Sequence, residues 1–364
     1  MDLPDGKSFD QLDYRRSEFE FVAGELRKAR LRLRLATSAN AAVQAVLDMQ
    51  PAMRLYKTQA AIARIRHDRN TADAFYAGEQ AYYDQADARI ALQEQSFYSA
   101  LLASRFRSEL ENRFGSLIFR KAENFKEIIR PAAVDCLAEE NRLSSSYLQL
   151  ISAATVELDG QNLPLSRLGF WLQSPDRVTR ARAHRAEAGW FQAHGEELDN
   201  LFSQLVATRS AISRKVGFRS FTDLGYKRLE RFDYGRGEVE MLRQAVVRYI
   251  VPLTREIRNL QRKRLGLETL CYYDLPCLFP SGNPQVIPSL SELPEAAEQV
   301  LSAVTRQEPS FFRKLIDRGC IDLDARANKS PGGYCSIIIN AGSPFILMNA
   351  AGTANDVTTM LHEA

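Results

Sequence analysis

The spacing of apolar side chains predicts a chain that is mainly helical. No proline occurs from position 52 to 130, and apolar residues there recur three or four positions apart, as from Phe97 to Leu101. This is the period of an amphipathic helix, and the segment is rich in the helix formers Ala, Arg, Glu, Gln and Leu. Because Pro51 and Pro131 flank the segment, we expect them to mark its two ends.

Three further helices are predicted in the middle of the chain. The first follows a capping sequence at 174–176, where Ser, Pro and Asp stand together. The second covers 196–215 and the third covers 238–265. Pro252 is expected to kink or divide the third helix, because proline lacks the backbone donor that a helix requires.

The pattern changes in the last quarter of the chain. Five prolines fall between 276 and 294, which indicates an irregular connection. A helix over 289–305 follows, and the first strands are predicted late, over 322–325, 334–339 and 345–349. The predicted fold is therefore mainly α, with a small β-sheet near the C-terminus and one final helix.

The composition of the chain argues against several classes of function. The chain has 364 residues, with 48 Lys and Arg against 45 Asp and Glu, so its net charge of +3 argues against nucleic acid as a partner. No apolar run approaches the roughly 18 residues that span a bilayer, and the polar N-terminus lacks the features of a signal peptide. The five cysteines include no Cys-x-x-Cys pair. We therefore expect reduced thiols, a cytoplasmic location and no membrane partner.

The last predicted helix carries the strongest candidates for catalytic and metal-binding residues. Thr353 and Asp356 have the spacing of a capping box, and His362 and Glu363 come close to the end of the sequence. By itself this pair carries little information. In an HExxH motif, however, two histidines four positions apart hold one zinc ion, and the glutamate accepts a proton from water.

The other histidines lack such a pattern. His67, His184 and His194 have no second histidine at this spacing. We interpret all three as surface or packing residues rather than metal ligands.

The segment from 329 to 364, KSPGGYCSIIINAGSPFILMNAAGTANDVTTMLHEA, resembles the segment that leads into HExxH in the M3 family of zinc oligopeptidases, in its oligoendopeptidase F-like branch. The shared features are a Gly-Gly-aromatic-Cys turn at 332–335, a short apolar strand, an Asn-containing turn with Gly-Thr at 349–353, and an Asp-Val pair before the helix. The stretches 176–234 and 273–284 are also similar to this family. The resemblance thus covers most of the chain and is most specific from about Pro175 onward.

This resemblance implies a two-lobed helical metallopeptidase fold around a deep channel. It divides the chain into an N-terminal helical region, 1–173, and the N-terminal part of the M3 catalytic domain, 174–364. It implies zinc-dependent endopeptidase activity on short oligopeptides, with one Zn²⁺ in each complete site. It assigns His362 as a zinc ligand and Glu363 as the catalytic general base. Substrate-binding positions are also implied: Gly332, Gly333, Tyr334, Asn349 and Ala350.

Several of these positions also have a purely structural interpretation. Gly332 and Gly333 suit a simple turn, and Tyr334 suits an aromatic that packs in the core. The 345–349 strand has two interpretations of equal weight. It either pairs with an extended peptide at the edge of the sheet, or it packs in the core.

The resemblance also implies that the zinc site needs residues beyond Ala364, including the second histidine and a glutamate ligand. We therefore expect a truncated chain that binds no stoichiometric zinc and has no peptidase activity alone. In such a chain Val357, Met360 and Leu361 would lose the helices that cover them. The alternative function is an inactive helical fragment, or a peptide-binding scaffold without catalysis.

Overall fold

Helices dominate the fold, as the spacing of apolar residues predicts. The structure, a computed structural model, describes residues 7–284, 290–306 and 310–364. The helices are α1 (Phe19–Leu35), α2 (Ala39–Arg69), α3 (Ala74–Leu102), α4 (Arg107–Phe114), α5 (Ser116–Ile128), α6 (Val134–Ser152), α7 (Gly169–Leu172), α8 (Arg177–Ala193), α9 (Gly195–Val216), α10 (Phe221–Arg228), α11 (Arg236–Ala245), α12 (Val251–Arg264), α13 (Leu293–Thr305), α14 (Ser310–Asp317) and α15 (Ala354–Glu363). The strands are β1 (Thr155–Leu158), β2 (Gln161–Pro164), β3 (Ile321–Asp324), β4 (Tyr334–Ile338) and β5 (Ser343–Ala350).

The long helices near the N-terminus have no boundary at Pro51. Pro51 lies inside α2, which has 31 residues, so the expectation that Pro51 marks a helix end is wrong. Proline in a helix interior costs roughly 3 kcal/mol because it removes one hydrogen bond. Burial of α2 side chains such as Met53 and Ala63 against α1 and α3 offsets this cost. Pro131 does mark a boundary, because it begins a short 3-10 turn after α5.

The helices of the middle region lie close to their predicted positions. Asp176 rather than Ser174 is the N-cap of α8, and its carboxylate accepts hydrogen bonds from the backbone N–H groups of Val178 and Thr179. Helix α9 ends at Gly217, whose φ of 94° lies in the left-handed region that glycine adopts without strain.

The predicted division near Pro252 takes the form of a π-helical turn rather than a break. A π-helical turn, Val246–Ile250, joins α11 to α12, so 236–264 is one continuous helix, called helix 236–264 below. The π turn changes the hydrogen-bond register just before the proline, which accommodates the missing backbone donor. The predicted helix over 289–305 is observed as α13, and its predicted first residue, Ser289, lies outside the described residues.

One β-hairpin was not predicted from the sequence. Strands β1 and β2 pair antiparallel at 155–164, so the prediction that strands come only late is wrong. Asp159 and Gly160 form the turn with φ values of 52° and 75°. An Asp-Gly pair is the characteristic sequence of such two-residue turns, because both positions need positive φ.

The three late strands form one sheet in the order β3-β5-β4. Strand β5 is parallel to β3 and antiparallel to β4, so it occupies the centre. Phe345, Ile346, Leu347 and Met348 are all buried there. The interpretation of this strand as the edge that receives a peptide is therefore wrong, because both of its edges are already paired.

The C-terminal sheet packs in a core that includes residues from both ends of the chain. Phe9 near the N-terminus lies with its ring centroid 4.3 Å from that of Phe345. Ile62 and Ile65 of α2 join the same cluster. Within the described ranges, no helix is long and apolar enough to cross a membrane.

Candidate active site

Helix α15 begins with the predicted capping box. The Asp356 carboxylate accepts hydrogen bonds from the backbone N–H groups of Thr353 at 2.8 Å and Ala351 at 3.1 Å. Asp356 is buried, so both donors would otherwise lack a partner away from water. The cap fixes where the helix starts and therefore which way each later side chain points.

The apolar side of α15 faces the core. Met360 is completely buried, and Val357 and Leu361 pack against the same cluster as Phe345. The expectation that these three residues lack cover in this chain is wrong, because β5 and α13 already cover them. His362 is consequently exposed, since it follows the buried stripe onto the other side of the helix.

Glu363 follows His362 on α15 and is half-buried. Burial raises the pKa of the Cys335 thiol, and the negative charge of Glu363 raises it further. Cys335 is the second residue of β4, so the charge of Glu363 acts on that strand. In the described part of the chain, no strand pairs with the outer edge of β4.

A glycine turn leads into β4 and lies close to both β5 and α15. Gly332 has a φ of 81°, which a residue with a side chain adopts only with strain. A Cβ on Gly333 would lie 3.2 Å from the Leu347 carbonyl oxygen and 3.7 Å from a side-chain carbon of Thr359. The turn interpretation of both glycines is therefore supported, and the close approach explains why the second position is also glycine.

Asn349 holds this turn from the side of β5. Its amide nitrogen Nδ2 donates to the carbonyl oxygens of Ser330 at 2.7 Å and Gly332 at 2.9 Å. Its Oδ1 atom is buried and has no hydrogen-bond partner among the described residues. The neighbouring Ala350 is buried at the end of β5.

The N-terminal helices hold the turn from the opposite side. Asp68 on α2 accepts hydrogen bonds from the Tyr334 hydroxyl at 2.8 Å and the Ser330 hydroxyl at 2.9 Å. Burial, followed by the charge of Asp68, raises the pKa of Tyr334. Tyr334 also packs against the sheet core, so its side chain orders the turn.

A buried lysine fixes the other end of the turn to the sheet. Lys329 donates from Nζ to the Asp322 carboxylate at 2.7 Å, and also to the carbonyl oxygens of Asp324 and Met348. Burial lowers the pKa of Lys329 to about 8, although the nearby Asp322 acts in the opposite direction. The hydrogen bonds of Lys329 thereby connect β3 to β5 at the point where the register between the two strands shifts.

Sequence reasoning missed three of these supporting residues: Asp68, Asp322 and Lys329. No local pattern identifies Asp68, because its partners lie more than 260 positions later. Lys329 stood at the start of the recognised segment, but a lysine within a turn sequence normally indicates a solvated side chain.

The other histidines are packing or surface residues, as interpreted from the sequence. His194 stacks on Trp190 with ring centroids 4.2 Å apart, and His67 is buried beside Asp68. His184 packs edge-on against Tyr272.

A complete zinc site is not formed by the described residues. Among them, no three His, Cys, Asp or Glu side chains come together in a way that could hold a metal ion. A catalytic zinc takes three protein ligands. The exposed imidazole of His362 suits one ligand position, and the donor set present does not fit the metal by itself.

Comparison with known proteins relates this arrangement to a family. Residues 9–129 match the sequence model of the peptidase M3 N-terminal domain. The chain is similar to a protein assigned as oligoendopeptidase F and solved by X-ray crystallography at 3.1 Å, with 35% identity and a TM-score of 0.96. It is also similar to PZ peptidase A in complex with an inhibitor, with 35% identity and a TM-score of 0.95. Both similarities cover 98% of this chain and 63% of the other.

A third structure, assigned as oligoendopeptidase F from Bacillus anthracis str. Ames, shares 34% identity with a TM-score of 0.94, over 98% of this chain and 65% of that one. A more distant structure from Chlamydophila abortus, with 13% identity and a TM-score of 0.54, supports the fold alone. No curated protein matches the chain. The chain thus spans a little under two thirds of the length of its most similar solved structures. On this sequence and structural similarity, the chain belongs to the M3 peptidase family, in its oligoendopeptidase F-like branch.

Proposed function

We propose that this chain supplies the N-terminal part, and one portion of the active site, of a zinc-dependent endopeptidase that hydrolyses short oligopeptides. The observation that carries the proposal is the position of His362 and Glu363 in the last turn of α15, in a chain that matches oligoendopeptidase F structures over almost its whole length. Residues 1–173 would form the N-terminal helical region, and residues 174–364 would belong to the catalytic domain.

The two residues have different proposed roles. A bound zinc ion would supply Lewis-acid chemistry toward the carbonyl group of the scissile bond. His362 would offer its exposed imidazole as one ligand. Glu363 would accept a proton from the attacking water and pass it to the leaving amine, which is ordinary general acid–base catalysis. The remaining ligands would come from outside the described residues.

The outer edge of β4 is the proposed place for the peptide backbone. This edge is unpaired within the described residues, whereas β5 is paired on both sides, and the turn before β4 lies close to Thr359 of the helix that carries Glu363. An extended peptide can add to such an edge through backbone hydrogen bonds. Gly332 and Gly333 form the turn before β4, where side chains would obstruct a peptide, and Tyr334 is the first residue of that strand.

Asn349 and Ala350 contribute at the neighbouring strand. Asn349 would act indirectly, because its Nδ2 donates to the carbonyl oxygens of Ser330 and Gly332 and so holds the turn before β4. Ala350 is buried at the end of β5, so its proposed role rests on the family resemblance alone.

A peptide-binding scaffold without catalysis is the second candidate. The specific observation in its favour is that the described residues bring no three metal ligands together. Both candidates use the β4 edge and differ only in whether bound peptide is cleaved.

A fusion protein distinguishes the two candidates. The chain would be extended at Ala364 by the portion of the Bacillus anthracis relative that it does not span, and mixed with a short fluorogenic oligopeptide. The peptidase proposal predicts cleavage that a chelator abolishes and added zinc restores. Binding of the peptide by a folded fusion protein without any cleavage would contradict the peptidase and support the scaffold.

A further inference from the structure

A basic cleft lies in the N-terminal helical region, between the ends of α1 and α3 and beside the segment that leads into α4. Its volume is about 650 Å³, within the range of about 300–1,000 Å³ that small-ligand pockets occupy. Three arginines line it, Arg30, Arg34 and Arg105, and within the described ranges no Asp or Glu does. The cleft therefore concentrates positive charge in a chain whose overall charges nearly balance.

Two of the arginines come from α1. Arg30 and Arg34 are four positions apart in the sequence RKARLRLRL at 27–35, so their Cβ atoms lie about 6 Å apart on one face of the helix. Neither forms an ion pair with a carboxylate in the part of the chain that the structure describes. Arg32, on another face, pairs with Asp48 at 2.6 Å. Like charges at a spacing of four repel each other, so an anion bound between Arg30 and Arg34 would relieve an unfavourable interaction.

The third arginine is held in place from the opposite wall of the cleft. Arg105 donates from Nη2 to the carbonyl oxygen of Ala36 at 2.9 Å, and its guanidinium carbon lies 4.8 Å from the centroid of the Phe106 ring. Its other N–H groups have no partner among the described residues. A guanidinium group with free N–H donors matches the geometry of phosphate oxygens and can bind two of them at once.

Neutral donors complete the lining. The hydroxyl oxygen of Ser104 accepts the backbone N–H of Phe106 at 3.2 Å, so the hydroxyl proton is left to donate elsewhere. Ser99 and Gln95 also line the cleft, and their side chains have no hydrogen-bond partner within the described residues. A ligand with several acceptor oxygens would satisfy these groups together with the arginines.

We propose that this cleft binds a small phosphorylated ligand, whose phosphate groups are held by Arg30, Arg34 and Arg105. Three positive charges without an acidic residue match a group that carries at least two negative charges, such as a diphosphate, better than a single carboxylate. The cleft, with its guanidinium groups and hydroxyls, provides the charge and the donors that such a group requires.

The site lies far from the turn that leads into β4. Helix α2 begins at Ala39, three positions after Ala36 of the cleft, and its 31 residues rise about 45 Å before the helix ends beside Asp68 and the turn. Ligand binding and peptide hydrolysis can therefore be measured separately, and the proposal does not depend on the proposed peptidase activity.

Isothermal titration of the 364-residue chain with inorganic pyrophosphate, at fixed ionic strength, tests the site. We expect one site per chain with a sub-millimolar Kd. The double variant Arg30→Gln, Arg34→Gln should weaken binding at least tenfold, because it removes two charge-assisted contacts. The matched control is Arg27→Gln, Arg32→Gln, which removes the same charge from the same helix at arginines that pair with Glu20 and Asp48. The control should leave the Kd nearly unchanged.

Absence of binding to the unmodified chain would overturn the proposal. Equal weakening in the two double variants would also overturn it, because a general effect of surface charge would act on both alike. ADP, titrated in the same way, distinguishes an organic phosphate from an inorganic one: the tighter of the two probes identifies the source, and either supports the site. Tighter binding of a 20-nucleotide RNA than of both probes, lost in Arg30→Gln, Arg34→Gln, would overturn the small-ligand proposal in favour of nucleic acid.

A second variant keeps the test decisive if the arginine substitutions disturb folding. Ser99→Glu adds a carboxylate to the cleft and leaves all three arginines in place, and glutamate is a good helix former. It should weaken pyrophosphate binding at least tenfold. Ala81→Glu, at an exposed position of the same helix α3, is the control and should not. Unchanged affinity in a folded Ser99→Glu variant would overturn the proposal.

Discussion

Asp68 on helix α2 accepts a hydrogen bond from the hydroxyl group of Tyr334, at 2.8 Å, across 266 positions of sequence. The same carboxylate also accepts the Ser330 hydroxyl, and the Asp68 carbonyl oxygen accepts the Ser330 backbone N–H at 2.8 Å. The turn that leads into β4 is therefore anchored to a helix of the N-terminal region. The proposed peptide-binding edge depends on that region for its position.

Removing the Tyr334 hydroxyl should destabilise the chain. Tyr334→Phe deletes a hydrogen bond to a buried carboxylate, and bonds to charged groups contribute about 1.5–3 kcal/mol. Urea denaturation should show a free energy of unfolding lower by that amount. Tyr272→Phe is the matched control, because Tyr272 is 63% exposed, and it should change the value little. Equal effects of the two substitutions would contradict the anchoring role of Tyr334.

The ion pair at Asp322 should make stability depend on acid pH. Burial raises the pKa of Asp322, but hydrogen bonds from Arg326 and Lys329 outweigh burial and hold it below its usual range. As the pH falls below about 4, the unfolded chain takes up a proton at this carboxyl before the folded chain does. The stabilisation is therefore present above about pH 4 and is lost as the pH falls further.

Asp322→Asn tests this dependence. At neutral pH the substitution should cost about 3 kcal/mol, because it leaves the Lys329 ammonium buried without its partner. The difference from the unmodified chain should shrink as the pH falls below about 4. Asp13→Asn, at a carboxylate that is 93% exposed, should change stability little at either pH. A difference for Asp322→Asn that stays constant with pH would contradict this account.

Alanine substitution at two glycines should change the stability of the chain in opposite directions. Gly333→Ala places a Cβ 3.2 Å from the Leu347 carbonyl oxygen, so we expect a loss of about 1–3 kcal/mol as the turn shifts. Gly78→Ala, inside α3, meets nothing within 4 Å and should stabilise the chain by up to about 1 kcal/mol. Thermal melts of both variants measure the signs. Stabilisation by Gly333→Ala would show that the turn does not approach β5 closely.

The sequence predicted the elements better than their arrangement. Helix α9, strand β5 and the Thr353–Asp356 cap all follow from local patterns, because spacing and capping act within one element. The order β3-β5-β4 does not follow from any such pattern. An apolar run such as 345–349 is expected both for a central strand and for a buried edge, so only the structure decides between them.

The site was predicted in part for the same reason. His362 and Glu363 were proposed from a family resemblance around a short motif, and their roles stay predictions. Asp68 and Lys329 were missed, because their role depends on contacts between distant parts of the chain. The exposure of apolar residues on helix 236–264, such as Leu253 and Ile257, was missed as well, since an apolar periodicity predicts a packed face and does not show whether anything covers it.

The central claim is that His362 and Glu363 belong to a zinc peptidase site, and separate measurement of bound metal and turnover tests it most directly. Zinc content by mass spectrometry and fluorogenic peptide hydrolysis would be compared for the fusion protein and two variants. Glu363→Gln should retain stoichiometric zinc and lose at least 100-fold in kcat, because general acid–base catalysis contributes about 10²–10⁴-fold and an amide cannot accept the proton. His362→Ala should lose both zinc and turnover, and His194→Ala should lose neither. Full activity of Glu363→Gln, or full zinc occupancy of His362→Ala, would contradict the account.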